Sequence, residues 1–600
     1  EPLRRETFSD SSTKPAKSSS SETCPVFRRE DILPGSCVTG PAVVSDAFGT
    51  LVVEDGWVAC KGDQGSLLLD RSSSLADRIP QKGGADRELF ANRFCNLVEE
   101  MGAQLERTAL STNVKERLDF SCALLDSKAQ LVANAPHVPV HLGALGVCAR
   151  EINSSLSLRP GDVVVSNHPA YGGSHLPDVT VLAPIHDETG VLLAFVANRA
   201  HHAEIGGIRP GSMSPEASVL AEEGVVIEPT YLFQGGRSRV EEVALLFREG
   251  AWPSRRPDEN RADLLAQVAA IRRGAEAMEA LVDQYGTDLV MKHLELLRER
   301  SSRVCREFLV GLGEVDLFAE QSLDDGSPIV VRIVIREGRA RIDFTGTASR
   351  HPGNLNATAA ITRSAVVYVL RLLAGQETPL NEGLLEPVEI ILPDDSLLAP
   401  RFPSDPQIAP AVSGGNVEVS QRLVDTLLLA FGEVACSQGT MNNVIFGDAT
   451  RSHYETVAGG AGAGVGFNGT SGVHVHMTNT AITDPEILEL GQPVRLERFS
   501  LRECSGGAGS WVGGDGVERE YVFEESLSVS LLTQRRLSGP AGILGGEDGR
   551  PGEQYVLRKD GTRENLSPVD HVEVNPGDRL VLLTPGGGGA GDPETLALAF

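Results

Sequence analysis

The feature that most constrains this chain is a change in hydrophobic periodicity along its length. Residues 86–110 place Phe90, Phe94, Leu97, Val98, Met101 and Leu105 at helical spacing. Residues 262–283 and 287–311 repeat Leu, Val, Ile and Met every three or four positions on either side of Gly286, as a helical hairpin does. Between these stretches, 118–232 breaks into short β-type runs at 123–125, 163–166, 179–182 and 192–197. Strands return at 329–335 and 340–344. Helices are expected near 361–374 and at 413–435, the latter opened by Gly414-Gly415-Asn416. The pattern predicts an α+β chain: a multi-layer mixed αβ fold of several sub-domains, with a helical hairpin and a β-rich C-terminal part. Its 600 residues exceed what one hydrophobic core serves, so two to four structural units are expected.

Residues 9–22 are Ser-rich and nearly free of large apolar side chains, so ordering them buries too little to offset the entropy lost, and a mobile segment is expected there. Residues 26–69 carry β-type runs at 42–44, 49–53 and 66–69 between Pro/Gly turns, the signature of a small β unit. With a polar linker following, the expected layout is 1–78 as a β-rich unit, 79–85 as linker and 86–600 as the main domain. The first residue is Glu1, as expected of a fragment or processed form. No repeat with a period of 20 to 50 residues is present.

Lys and Arg number 54 against 82 Asp and Glu, a net charge of −28, so the basic surplus that nucleic acid or an anionic membrane demands is missing. No apolar run reaches the roughly 20 residues of a spanning helix. The nine Cys are scattered without a C-x-x-C, which predicts reduced thiols in a cytoplasmic protein. No G-x-x-x-x-G-K-[ST] occurs, which excludes a P-loop ATP site. The Gly-rich segments 459–464 and 586–589 are expected to serve close backbone packing rather than to cradle an anion. Cys122 and Cys148 lie near the region of interest, with buried inert thiols as the default.

That region is marked by histidine. Seven of the 13 His fall between positions 137 and 202, in the runs PHVPVHLG, NHPAYGGSHLPD and NRAHHAEIGG, with His186 between them. Imidazole together with carboxylate suits Zn, Mn or Fe(II), whereas oxygen-only sites for Mg or Ca leave the imidazoles unexplained. His175-Leu-Pro-Asp178 is a compact H-x-x-D whose Pro stiffens the backbone so that two donors aim at one point. His201 or His202 would arrive from a strand end, and His137 or His141 from the preceding segment. Asp119, in ERLDFSC, is a further candidate. Taken singly, most of these residues would be hydrogen-bonded structural groups; converging, they mark a metal or catalytic site.

At these motifs the sequence resembles the hydantoinase B/oxoprolinase family. The matching runs include KERLDFSCALLD, HVPVHLGALG, GGSHLPDVT, FVANRAHHAEIGG, DFTGT, NATAAITRSAVVYVLR, GGNVEVSQR, GTMNNVIFG, YETVAGGAGAG, HVHMTNTAITDPEILE and TPGGGGAGDP, in order from residue 86 to 593. The segment RREDILPGSCVTGPAVVSDAFGTLVVEDGWVACKGDQGSLLL resembles the closing part of the partner half, hydantoinase A, whose upstream body carries an actin-like ATPase. An A-type tail continuous with a whole B half is the arrangement expected of fused 5-oxoprolinases.

The resemblance implies ATP-dependent opening of a cyclic amide: the A half uses ATP to phosphorylate the lactam oxygen, and the B half hydrolyses the activated ring, giving L-glutamate from 5-oxo-L-proline. It implies a divalent metal (Mn, Zn or Fe) held by His175, Asp178 and His202, with His137, His141 and His201 as further ligands. Asp119 and His201 are the residues expected to handle the attacking water. An A-type ATPase half and a small cyclic amide are the implied partners, in a homo- or hetero-oligomer. The motifs specify the scaffold more narrowly than the ring, so N-methylhydantoin or another cyclic amide stays open as substrate. So does an inactive scaffold docking an A-type ATPase; the carboxylase branch fits less well, since those subunits are separate chains. One departure stands out, because many relatives carry Asp in place of His168.

Overall fold

The computed structural model describes residues 5–6, 24–46, 49–54, 56–62, 65–71, 84–375 and 379–594. The chain divides into two compact units, Glu1–Asp86 and Arg87–Phe600. The Ser-rich stretch 9–22 lies outside the described residues, as does most of the linker expected at 79–85.

In the first unit the runs expected at 42–44, 49–53 and 66–69 are strands, Ala42–Ser45, Thr50–Val53 and Leu67–Arg71. They belong to two small sheets around a core of Ile32, Val38, Ala42, Val44, Val53 and Ala59. The expectation of reduced thiols throughout is corrected here, because Cys37 and Cys60 form a disulfide. The two residues face each other across the antiparallel pair Cys37–Thr39 and Trp57–Lys61, a juxtaposition made by strand register and invisible in a spacing of 23 residues. Among the described cysteines, Cys95, Cys122, Cys148, Cys305, Cys436 and Cys504 are free.

The second unit is built on a seven-stranded antiparallel sheet. Its strands are β1 (Phe120–Asp126), β2 (Leu131–Asn134), β3 (Val163–Ser166), β4 (Asp178–His186), β5 (Leu192–His201), β6 (Thr230–Gln234) and β7 (Arg237–Ser238), in the spatial order β7-β6-β3-β4-β5-β1-β2. Successive side chains on a strand point to opposite faces, and here both faces are covered. Phe120, Cys122 and Leu124 join a core with helices α1 (Gly84–Thr108), α3 (Pro257–Tyr285) and α4 (Thr287–Leu312). Ala123 and Leu125 join a second core with Leu142, Leu145 and Ile152 of α2 (Pro139–Ser155). Burial on both faces removes the alternation that reveals a strand, which is why sequence periodicity finds only the middles of β1, β4 and β5. The hairpin α3–α4 turns at Gly286 as expected.

Beyond the hairpin, Val315–Ser322, Pro328–Arg336, Arg339–Asp343 and Val388–Ile391 form a four-stranded sheet. Its apolar face shares a core with α5 (Ala359–Ala374) and α6 (Ser420–Phe431), and α6 is preceded by a π-helical turn, Gly415–Val419. Helix α2 sits tightly against α5: a Cβ at Gly143 would lie 2.5 Å from Ser364 Cα, so only Gly allows the approach. Glu382 ties these layers together. Its carboxylate accepts from Leu131 N (2.8 Å) on β2 and from Arg150 Nη1 (3.0 Å) and Nη2 (2.8 Å) on α2.

The C-terminal part is β-rich, as expected, with a four-stranded and a five-stranded sheet. The Gly-rich segments lie between them as extended chains laced by backbone hydrogen bonds. Gly587 N donates to Gly514 O, Gly514 N to Ala461 O, and Ala463 N to Gly588 O, at 2.8, 2.9 and 2.9 Å. A Cβ on Gly587 would stand 2.0 Å from Ala461 O. These glycines therefore bring backbones together, as expected, with their amides spent within the protein, as Gly588 N on Cys436 O and Gly589 N on Glu547 O.

Two outcomes follow for stability. Gly587→Ala forces backbone apart and is expected to cost about 1–3 kcal/mol, read as a lower denaturation midpoint. Glu382→Ala strands a buried strand amide and the Arg150 guanidinium, at a cost of about 2–3 kcal/mol. Burial works to raise the Glu382 carboxyl, but the hydrogen bonds and charge of Arg150 prevail and hold it below its ordinary 4.5. The stabilisation is thus fully present above that value and fades as the pH falls through the lower folded-state value. Denaturation midpoints of wild type and Glu382→Ala should converge on acidification.

Candidate metal centre

The antiparallel register of β4 and β5 sets the site. Asp178, the first residue of β4, pairs with His201, the last of β5. The neighbouring strand β1 begins at Phe120, opposite Ala200, and His201 N donates to Asp119 O at 3.0 Å. Three candidate residues far apart in sequence therefore meet at one end of the sheet. His175 enters from the Pro-stiffened turn before β4, where Asp178 N donates to His175 O at 3.1 Å. His141 comes from the first turn of α2, which Pro139 opens.

Asp178 is fully buried, and its two oxygens differ. Oδ2 accepts from Ser174 Oγ at 2.5 Å and lies 3.2 Å from His141 Nε2 and 3.3 Å from His175 Nε2. Oδ1 is buried without a hydrogen-bond partner. Ser174 is in turn fixed by Arg199, whose other donors reach Thr180 Oγ1 and Gly172 O. Burial would raise the Asp178 carboxyl, but the His141 and His175 imidazoles outweigh it and hold the group well below the usual carboxylate range. Asp178 is an anion. His201 is pushed well below the usual imidazole range by burial and by His175, so it is neutral.

His175, Asp178 and His201 each present a donor atom within 4.8 Å of the others. Nδ1 of His175, Oδ1 of Asp178 and Nε2 of His201 are buried without hydrogen-bond partners, while Nε2 of His175 meets Asp178 Oδ2. Three unpartnered polar atoms in one place are costly unless something pairs with them. Two imidazoles and one carboxylate are the donor set of Zn, Mn or Fe, so these residues fit a divalent cation. His141 stands beside them, its Nε2 on Asp178 and its Nδ1 3.0 Å from Ser121 Oγ.

Asp178 and His201 open onto a cavity of about 20 Å³, room for about one water. Asp119 lines it, and burial raises its carboxyl above the ordinary value against the pull of Arg117. The opposite wall consists of residues from much later in the chain, which sequence reasoning missed: Asn416 on the π-helical turn, Tyr454 and Met477. Tyr454 stacks on His201 with centroids 4.9 Å apart and planes at 14°, and the Arg117 guanidinium lies 4.7 Å from the Tyr454 ring. Asn416 is buried with Oδ1 unpartnered. The runs GGNVEVSQR and YETVAGGAGAG that carry Asn416 and Tyr454 stand out in the sequence, but neither holds a histidine or an H-x-x-D to announce chemistry.

Two expected ligands are not brought to this group. His202 follows His201, and residues adjacent on a strand point to opposite faces, so only one of the pair can face the cavity. The ring of His202 instead turns to α3, with Nδ1 3.1 Å from Asn260 Nδ2 and Nε2 3.2 Å from Gln267 Oε1. His201, expected to handle water, occupies the place expected of His202. His137 accepts from Cys122 N through Nδ1 at 3.0 Å and packs on Phe120 beside Gly102 of α1; burial lowers it to about 4. His168 caps the turn Pro169–Tyr171, its Nδ1 accepting from Ala170 N at 3.0 Å. A carboxylate in that position could make the same bond, so the His/Asp exchange preserves a backbone cap. Cys122 and Cys148 are buried, and burial pushes both thiols up, away from the nucleophilic thiolate.

Comparison with known proteins agrees with this architecture. The chain is 42% identical over 601 residues to 5-oxoprolinase 1 of Arabidopsis thaliana, covering 94% of this chain and 46% of that protein. It is 40% identical over 606 residues to the 5-oxoprolinase of Saccharomyces cerevisiae, covering 94% and 46%. The chain thus spans about half the length of these relatives. Among solved structures, the ATP-dependent caprolactamase of Pseudomonas jessenii superposes with a TM-score of 0.78 at 26% identity, over 86% of this chain and 93% of that one. The profile of the Hydantoinase B/oxoprolinase family matches residues 85–593. The chain belongs to the hydantoinase B/oxoprolinase family.

Proposed function

We propose that this chain is the hydrolytic half of an ATP-dependent 5-oxoprolinase, opening the activated ring of 5-oxo-L-proline to give L-glutamate. The observation that carries the proposal is the convergence of unpartnered donors from His175, Asp178 and His201, the last two lining one small cavity. A divalent cation there would lower the pKa of a bound water toward about 7 and so supply a nucleophile at neutral pH. His175, Asp178 and His201 would hold it, while Ser174 and His141 keep Asp178 oriented through Oδ2. Asp119, its carboxyl raised by burial, is placed to take the proton of the attacking water. Asn416, whose Oδ1 is unpartnered, lines the same small cavity with Tyr454 and Met477.

No P-loop signature occurs in this chain, and activation of the lactam oxygen is assigned to an A-type ATPase half. The share of the relatives' length left uncovered leaves room for such a half, and the first unit is read as the end of it. The fold likeness to an ATP-dependent caprolactamase favours a second reading, hydrolysis of another cyclic amide on the same scaffold.

The purified chain is expected to carry a divalent metal, with a His175→Ala/Asp178→Ala variant carrying none; equal metal in both would remove the ligand assignment. Joined to an A-type half with ATP, the chain should open 5-oxoproline in preference to N-methylhydantoin and larger lactams. Asp119→Asn should lower turnover by roughly 10²–10⁴-fold while leaving the metal in place. Failure to open any ring in the panel would favour an inactive scaffold.

A further inference from the structure

In the donor set His175, Asp178 and His201, His201 has its second nitrogen against a side-chain amide. Its Nδ1 lies 3.0 Å from Nδ2 of Asn113, a residue only 2% exposed, in the short helix Thr112–Lys115. The Asn113 amide makes no other hydrogen bond among the described residues, and Nε2 of His201 is buried without a partner. The backbone holds the pair in place: Asp119 N donates to Asn113 O and His201 N to Asp119 O, each at 3.0 Å. Stacking on Tyr454 fixes the plane of the ring. Amide, imidazole and the Asp119 backbone thus form one preset unit.

A neutral imidazole carries a hydrogen on one nitrogen and a lone pair on the other. With the amide nitrogen of Asn113 facing Nδ1, the hydrogen is driven to Nε2, and the lone pair a cation needs is lost. Turned end for end, the amide occupies the same space and puts Oδ1 against Nδ1. Nδ1 then carries the hydrogen, and Nε2 is free to coordinate. We infer that Asn113 is a positioning residue: by presenting its carboxamide oxygen it selects the Nδ1–H form of His201 and sets the affinity of the site for a divalent cation. The inference rests on the proposed metal centre and adds to it a residue from outside every histidine motif.

The test titrates zinc alone into the chelator-treated chain, in competition with a chromophoric chelator. Asn113→Leu should bind zinc roughly 10–100-fold more weakly than wild type. Asn113→Asp presents oxygen whichever way it turns and should bind at least as tightly as wild type, which a purely space-filling role would not require. In the zinc-loaded wild type, ¹⁵N-histidine spectra should place the His201 hydrogen on Nδ1. Equal affinity of Asn113→Leu and wild type, or a hydrogen on Nε2 in the loaded wild type, would overturn the assignment and leave the metal centre standing. Should Asn113→Leu fail to fold, the wild-type spectrum decides. A wild type that takes up no zinc overturns the metal centre and this assignment together.

Discussion

The pairing of β4 with β5 is the constraint on which the rest of the site depends. One register puts Asp178 across from His201 and, through the next strand, Asp119 beside both. A slip by one residue would turn every side chain to the other face, sending His201 toward α3 and His202 into the cavity. Burial makes such a slip prohibitive. The two faces of β1, β4 and β5 feed different apolar cores, and exchanging them would drive Asn198 and Arg199, each already bonded within its own layer, into the wrong one.

The second wall is held by different physics. The C-terminal part relies on glycine to let extended backbones touch, and its amides satisfy one another across the weave. This rigid β-rich body presents Tyr454 and Met477 to the sheet end, while the π-helical turn before α6 presents Asn416. Imidazoles and carboxylates on one side and a mainly neutral wall on the other frame a cavity with room for about one water.

Much of this was legible in the sequence, and the illegible parts share a cause. The helices, the hairpin and the strand centres follow from periodicity, and H-x-x-D named His175 and Asp178 because both donors lie within one short turn. The choice between His201 and His202 depends on which face the last residue of β5 presents, and two adjacent histidines carry no mark of it. The disulfide of Cys37 with Cys60 likewise depends on strand register. Asn113, Asn416 and Tyr454 join the site only through tertiary packing, and amides or a phenol in ordinary surroundings give no local signal. His168 looked like a lost acid, yet an imidazole nitrogen can accept the backbone hydrogen bond that an acid would.

The split origin of the cavity also orders events in time. Asp119, His141, Asp178 and His201 are synthesised well before Asn416, Tyr454 and Met477, so a growing polypeptide holds the first group before the residues that cover it exist. Completion of the cavity therefore waits on the last third of the chain, and no early fragment can contain it whole.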